Sequence, residues 1–411
     1  MNPWGTHLGS EEYPPDAEAI EKAASLEEID DYYKPMVRYF GVDPAKMDLT
    51  KFREVFNPYA YGFPTEITVT QDGNATAAKH YTMGRVAVEL AYVMPDRKTA
   101  YISDDGTNVG LFKFVADKAD DLTSGTLYGS KWVQTSAENG GAATLEWIDL
   151  GHATDAQIAE MIAKKPKFSD IFEVAELGAD GSCADGFAPS NAEAVQQCLK
   201  VKDGMEAAAS RLETRRYASM KGATTEFRKM EGITHNPEAG VLYVAMSEVA
   251  KGMTTGDKGD LPGRDAIQLQ KNACGTVYEL ALDQDYSATS MKALISASPL
   301  AVSPVFAVMM YVPAWPAFVM NRLPPSMTQA PPSGPSSRRA VVLVPPASEP
   351  APGSVRPYAP MTSPDASGRS QRSFCASVPA IMSGPQPSDV CAATMIPSEP
   401  HTRLISSTAM A

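Results

Sequence analysis

Long apolar runs, basic charge and histidine pairs are scarce in this chain, and each shortage closes off a class of function. No stretch reaches the eighteen or more apolar residues of a spanning helix, so no membrane span is expected. Met1 runs straight into NPWGTHLGSEEY, with no basic segment leading into an apolar one, so the sequence as written carries no export signal. Lys and Arg number 36 against 49 Asp and Glu, a formal charge of −13. That balance argues against a groove tracking nucleic-acid phosphates and toward cations as partners. His7, His80, His152, His235 and His401 show no ligand spacing, and neither a GxSxG elbow nor a Walker-type phosphate loop is present. Lone histidines of this kind read as hydrogen-bonded structural residues, with His80 the one to watch.

Lysine disappears altogether after residue 298. Residues 299–411 hold seven arginines, four acids and 21 of the 33 prolines, whereas residues 1–298 carry 45 acids against 29 bases. Proline at that density removes ladder donors and breaks helices, and stretches such as PPSGPSSRRAVVLVPPASEPAPGS have no apolar period. No packed fold is expected there. The abrupt break near Lys292 to Pro299 reads as a shifted reading frame, with a natural Pro/Ser-rich tail as the alternative.

What remains is a chain of 411 residues, 44% hydrophobic and 8% aromatic, with enough apolar material for a core. Strand signals dominate residues 1–298. GRVAVELAYV at 84–93 alternates, placing Val86, Val88, Leu90 and Tyr92 on one face and Ala87, Glu89 and Ala91 on the other. Further strands are expected at 99–103, 110–115, 126–133, 145–150, 241–247 and 276–282, with helices at 15–33, at 153–165 capped by Thr154, and at 203–218. Glu89, Pro95 and Tyr101 recur as Glu231, Pro237 and Tyr243, 142 residues later. Each copy reads as an acid-bearing strand, a proline turn, a strand beginning at an aromatic, and then a glycine-led strand. Neighbouring sheets of a β-propeller look this way, and a generic antiparallel sheet is the alternative.

The candidate chemistry lies in carboxylates. Hard cations such as calcium take six to eight oxygen ligands, so acids gathered from several elements suit them. The candidates are the Glu11-Glu12 pair after a rigid PWG loop, Asp104-Asp105, Glu89 and Glu231. Glu89 stands on an apolar strand face, where a charge needs a partner. Arg215, Arg216, Arg228 and Lys229 form the basic feature of this portion. The first two read as surface charge; the second two, just before Glu231, suit a phosphate. Cys183 and Cys198 flank an insertion and either close a disulfide or stay free thiols.

Three segments then carry a resemblance: PWGTHLGSEEY at 3–13, GRVAVELAYVMPDRKTAYISDDGTNVGLFKFV at 84–115 with GTLYGSKW following, and LETRRYASMKGATTEFRKMEGITHNPEAGVLYVAMSE at 212–248. In this order, over nearly all of 1–295, they resemble the PhoX-type alkaline phosphatases. The resemblance implies a six-bladed propeller holding calcium together with iron at its central mouth, hydrolysis of phosphate monoesters, and a periplasmic or secreted location. It further implies Glu11, Glu12, Glu89, Glu231, Asp104 and Asp105 as metal-site acids and Arg228 or Lys229 as the base near phosphate. Three departures stand out. Ser10 occupies the place of the cysteine in iron-containing members, and a hydroxyl substitutes poorly for a bridging thiolate, which points to calcium rather than iron. The family's twin-arginine signal and first strands are missing before Met1, and the later blades should follow MKALIS at 291–296, where composition breaks.

Together these readings predict a mainly β chain: an incomplete six-bladed β-propeller with helical insertions over 1–298, then a disordered or out-of-frame tail over 299–411. The leading expectation is a metal-dependent phosphomonoesterase, active or inactive as this truncated chain, expected to be a monomer. The alternatives are a non-catalytic calcium-binding propeller fragment and a calcium-dependent lactonase.

Overall fold

The computed structural model describes residues 1–262, 265–299 and 391–395. Nine strands rich in Val, Tyr, Phe and Ile form its centre: β1 (Val88–Val93), β2 (Thr99–Asp104), β3 (Leu111–Lys118), β4 (Asp121–Ser136), β5 (Ala142–Thr154), β6 (Met230–Asn236), β7 (Val241–Met246), β8 (Thr276–Leu282) and β9 (Ala288–Pro299). They follow one antiparallel path, β6-β7-β8-β9-β5-β4-β3-β2-β1, and its two end strands lie against each other, so the sheet is nearly a closed barrel. The chain is thus mainly β with helical insertions, as expected. The expected tail lies outside the described residues, apart from Pro299 and a strand at Cys391–Met395 that pairs with β9.

The internal repeat is preserved in register. Val88, Leu90, Ala91, Tyr92 and Val93 face Asp104, Ser103, Ile102, Tyr101 and Ala100. Met230, Gly232, Ile233, Thr234 and His235 face Met246, Ala245, Val244, Tyr243 and Leu242. In each copy one residue is skipped, and it is the repeated glutamate: Glu89 in β1 and Glu231 in β6 are the extra residues of β-bulges. This corrects the alternation expected for 84–93. Val88, Ala91 and Val93 share one core cluster, while Leu90 and Tyr92 pack on the other, because the bulge at Glu89 reverses the phase of the strand.

Both sheet faces are covered. Tyr101, Trp132, Phe227, Leu242, Tyr278 and Met291 fill one cluster; Ile102, Phe112, Phe114 and Leu127 fill the other, against Ala218 and Ala223. Gly275 leads β8 at φ +79, where a Cβ would lie 2.2 Å from the Met246 carbonyl, so the close approach of β7 and β8 requires glycine.

The helical insertions are shorter than their sequence signals. Of 15–33, Ala17–Lys22 is α-helical and Leu26–Glu28 forms one 3₁₀ turn. Arg53 ends the helix by donating to the carbonyls of Ile20, Glu21 and Ala23, while Glu28 takes the Ala24 amide. The 203–218 signal becomes Glu206–Leu212 and Thr214–Lys221, broken at Glu213, whose carboxylate accepts from Tyr59 and Arg216. Thr154 caps Asp155–Ala163 with a capping box. Cys183 and Cys198 are disulfide-bonded. Among the described residues no helix is long and apolar enough to cross a membrane.

Tyr101, fully buried, joins the two repeats: its hydroxyl donates to the Tyr286 carbonyl and accepts from the Ala288 amide, both at 2.7 Å. Tyr101→Phe leaves both backbone groups unpaired and is expected to cost about 1–3 kcal/mol, read as a lower urea midpoint at unchanged m value.

Candidate metal centre

The loop leading to the first acids is fixed by an ion triplet centred on the buried His80. Glu66 Oε1 accepts from Trp4 Nε1 at 2.7 Å and from the hydroxyl of Thr6. Its Oε2 meets His80 Nε2 at 2.9 Å, and His80 Nδ1 meets Asp155 Oδ2 at 3.0 Å. Burial pushes the His80 imidazole down, but the hydrogen bonds and charges of Asp155 and Glu66 outweigh it and hold the group up at about 9. The His80 bond, helped by Thr6 and Trp4 against burial, holds Glu66 down at about 2. His80 is therefore an imidazolium clamped by two carboxylates, at 2% exposure.

Beyond this anchor the acids separate by role. Glu11 faces the protein: its Oε2 accepts from the Gly62 and Phe63 amides at 2.9 and 3.2 Å, and Lys79 lies 2.8 Å from Oε1. Glu12 faces the other way. One oxygen each from Glu12, Glu89 and Asp105 lie within 4.8 Å of one another, all three side chains half-buried. Burial, and then the charges of Glu12, Glu231 and Asp105, push the Glu89 carboxyl above its ordinary range. Lys229 supplies the counter-charge, with Nζ 3.0 Å from both oxygens of Asp105 and 3.2 Å from Glu231. Burial lowers its ammonium, while Asp105 and Glu231 raise it further, so it stays charged. Its backbone is left-handed, φ +48, held by the Lys229 amide to the Gly106 carbonyl and the Ser247 amide to the Lys229 carbonyl. That costs a non-glycine residue roughly 1–2 kcal/mol and aims the ammonium into the acids.

Glu231 also accepts from Ser247 at 2.8 Å, on the rim. Asp104 is set apart from the trio. It is fully buried, takes the Ala87 amide at 3.0 Å, and receives the Arg215 guanidinium at 2.8 Å. Adjacent strand residues face opposite ways, so one acid of the Asp104-Asp105 pair turns to the core and the other to the site. Arg228 is tied to Glu248 at 2.7 Å and to Thr107.

Arg215 and Arg216, expected to be surface charges, are instead buried at 8% and 4% exposure. Their helix packs on the sheet, and Asp104, Glu193, Glu213 and Glu18 compensate them. The sequence reading did not pick out Glu66, Asp155, Glu193 or Tyr13. For Glu66 the alternating strand Thr65–Val69 was the available signal. Glu193 sits in a left-handed turn that no spacing announces.

Oxygen donors crowded around one lysine on a twisted antiparallel sheet define a class: β-sheet proteins whose acids gather where a hard cation would be held. Within that class the chain belongs to the alkaline phosphatase PhoX family, whose model matches residues 1–301. It is similar to a solved structure described as Pseudomonas fluorescens PhoX in complex with vanadate, a transition state analogue, at 20% identity and a TM-score of 0.42. The match covers 72% of this chain and 46% of that one, so this chain spans just under half of that protein. No curated protein sequence matches it.

The ion triplet predicts how stability varies with pH. The folded His80 value, about 9, lies above the ordinary 6.5, so its contribution is complete below 6.5 and is lost as pH rises through 9. The shift corresponds to about 3 kcal/mol. The difference in stability between wild type and His80→Gln, measured by urea titration at pH 6, 7.5 and 9.5, should shrink at each step.

Proposed function

We propose that this chain forms the cation-binding part of a metal-dependent phosphomonoesterase. The observation that carries the reading is the Glu12, Glu89 and Asp105 trio with Lys229 against it. With Glu231 at the rim, four carboxylates meet one ammonium, and like charges at that spacing favour uptake of a cation. The donors are oxygen throughout, which suits calcium. They offer no thiolate for iron, and Ser10 beside the Glu pair is exposed. Asp104 stays with Arg215 and serves by fixing the strand end that presents Asp105, and Glu11 serves by fixing the loop that presents Glu12. The two meanders are read as two of the four-stranded units of a propeller, their bulged glutamates turned to one side.

When bound, the cation supplies Lewis acidity and neutralises charge on a phosphoryl oxygen. The chain's own groups do the rest. Lys229, with three donors and two of its partners at the site, holds a second phosphoryl oxygen as negative charge builds there. Arg228 braces the Gly106–Thr107 segment beside it, with Glu248 orienting its guanidinium. A second reading, calcium binding without turnover, needs only the oxygen donors of the trio.

Purified full chain with p-nitrophenyl phosphate and calcium is expected to release p-nitrophenolate, and a chelator to stop it. Glu89→Gln and Asp105→Asn should each lower that rate about a hundredfold or more, in the range found for lost electrostatic donors. No release, with calcium still raising the melting temperature, would replace this reading by the second.

Lys229 competes with the cation for Asp105, which gives a split outcome. Lys229→Gln should strengthen calcium binding by calorimetry while lowering turnover. Parallel losses in both would make the lysine a structural brace.

A further inference from the structure

An exposed aromatic pair stands at the edge of this site with no protein partner role evident in its exposure. Tyr13 follows Glu12 directly, the charge of that carboxylate pushes its phenol up, and its ring is within reach of Tyr32, centroids 5.5 Å apart at 38°. The two residues are 60% and 67% exposed. Below them the aromatic contacts continue through Tyr33 and Phe56 to the buried Phe52, so the pair rests on a rigid base. Rings fixed in water beside a reaction site offer their faces to whatever the substrate carries beyond its reacting group.

The surroundings select the occupant by charge. Between the segments bearing the two tyrosines lies a cleft of about 580 Å³, lined by Asp16, Glu27, Glu28, Asp30, Asp31 and Tyr33. Lys34 pairs with Asp31 at 2.7 Å, and Asp16, Glu28 and Asp30 accept backbone amides, so the cleft wall stays rich in carboxylate. A second phosphate or a carboxylate would be repelled there, and an uncharged sugar would gain little from the ring faces. A quaternary or primary ammonium gains from both, since the faces of tyrosine rings carry negative quadrupole potential.

We propose that Tyr13 and Tyr32 form the leaving-group subsite and that it selects phosphate monoesters of cationic alcohols, with choline phosphate as the test compound. The proposal deepens the phosphomonoesterase reading and rests on it for the position of the phosphoryl group. The phosphoryl end sits against Lys229, and the ammonium end lies over the tyrosine pair toward the acidic cleft. Hydrolysis breaks the phosphorus–oxygen bond, with water supplying the oxygen to phosphate and a proton to the departing choline.

The test compares kcat/KM for choline phosphate and glycerol 2-phosphate at equal ionic strength with calcium, in wild type, Tyr32→Ala and Tyr32→Phe. Tyr32 touches none of the acids of the site. The wild type should prefer choline phosphate; Tyr32→Ala should lower kcat/KM for it about three- to tenfold, the span of a cation–π contact, and leave glycerol 2-phosphate within about twofold. Tyr32→Phe, which keeps a ring, should keep the preference. Equal rates on both esters in wild type, or equal losses on both in Tyr32→Ala, overturn the subsite while leaving the phosphatase reading intact. Should neither ester turn over, that reading falls, and choline chloride alone decides the subsite by saturation-transfer NMR against a sodium chloride control. Choline contact in wild type that Tyr32→Ala removes supports the subsite, and no contact overturns it.

Discussion

Mutual repulsion among carboxylates is the constraint around which this molecule is arranged. Glu12, Glu89 and Asp105 approach within 4.8 Å, with Glu231 nearby, and nothing in their own chemistry would keep them there. Each comes from a different stretch of chain, so the folded state must hold four backbones in place against a force that pushes them apart. Lys229 offsets part of it, in a backbone conformation that β-carbon residues avoid.

The rest is held from behind. Asp104, next to Asp105, is locked to Arg215; Glu11, next to Glu12, is locked to the Gly62 and Phe63 amides and to Lys79. In both acid pairs one member anchors and the other projects. The Glu66–His80–Asp155 triplet does the same for the loop that begins at Asn2. For a buried pair such as Asp104 with Arg215, desolvation offsets much of the attraction. Their effect here is positional: breaking one leaves a buried charge alone, so the arrangement resists the small shifts that would relieve the repulsion.

How much of this was legible in the sequence follows from which interactions are local. The Glu–Pro–Tyr repeat was readable because two strands and a tight turn keep partners within sixteen residues, and its register survives intact. The bulges were not readable. Alternation predicts a flat strand, and the skipped residue at Glu89 depends on where Asp104 and Arg215 pin the neighbouring strand. Arg215 and Arg216 looked like surface charge because three of their four acidic partners, Asp104, Glu193 and Glu18, lie between 22 and 198 residues away. The helix expected over 15–33 stopped early for a similar reason, since the guanidinium that ends it belongs to Arg53.

The two bulged copies also differ where it matters. The Asp105 amide binds the Ala87 carbonyl, and at the equivalent place the Ser247 amide binds the Lys229 carbonyl. One copy therefore carries alanine and aspartate where the other carries lysine and serine. A symmetric homodimer of either copy would bring together two aspartates or two lysines, never one of each. Covalent doubling within a single chain removes that symmetry requirement, and it lets one half specialise as the acid and the other as its counter-ion.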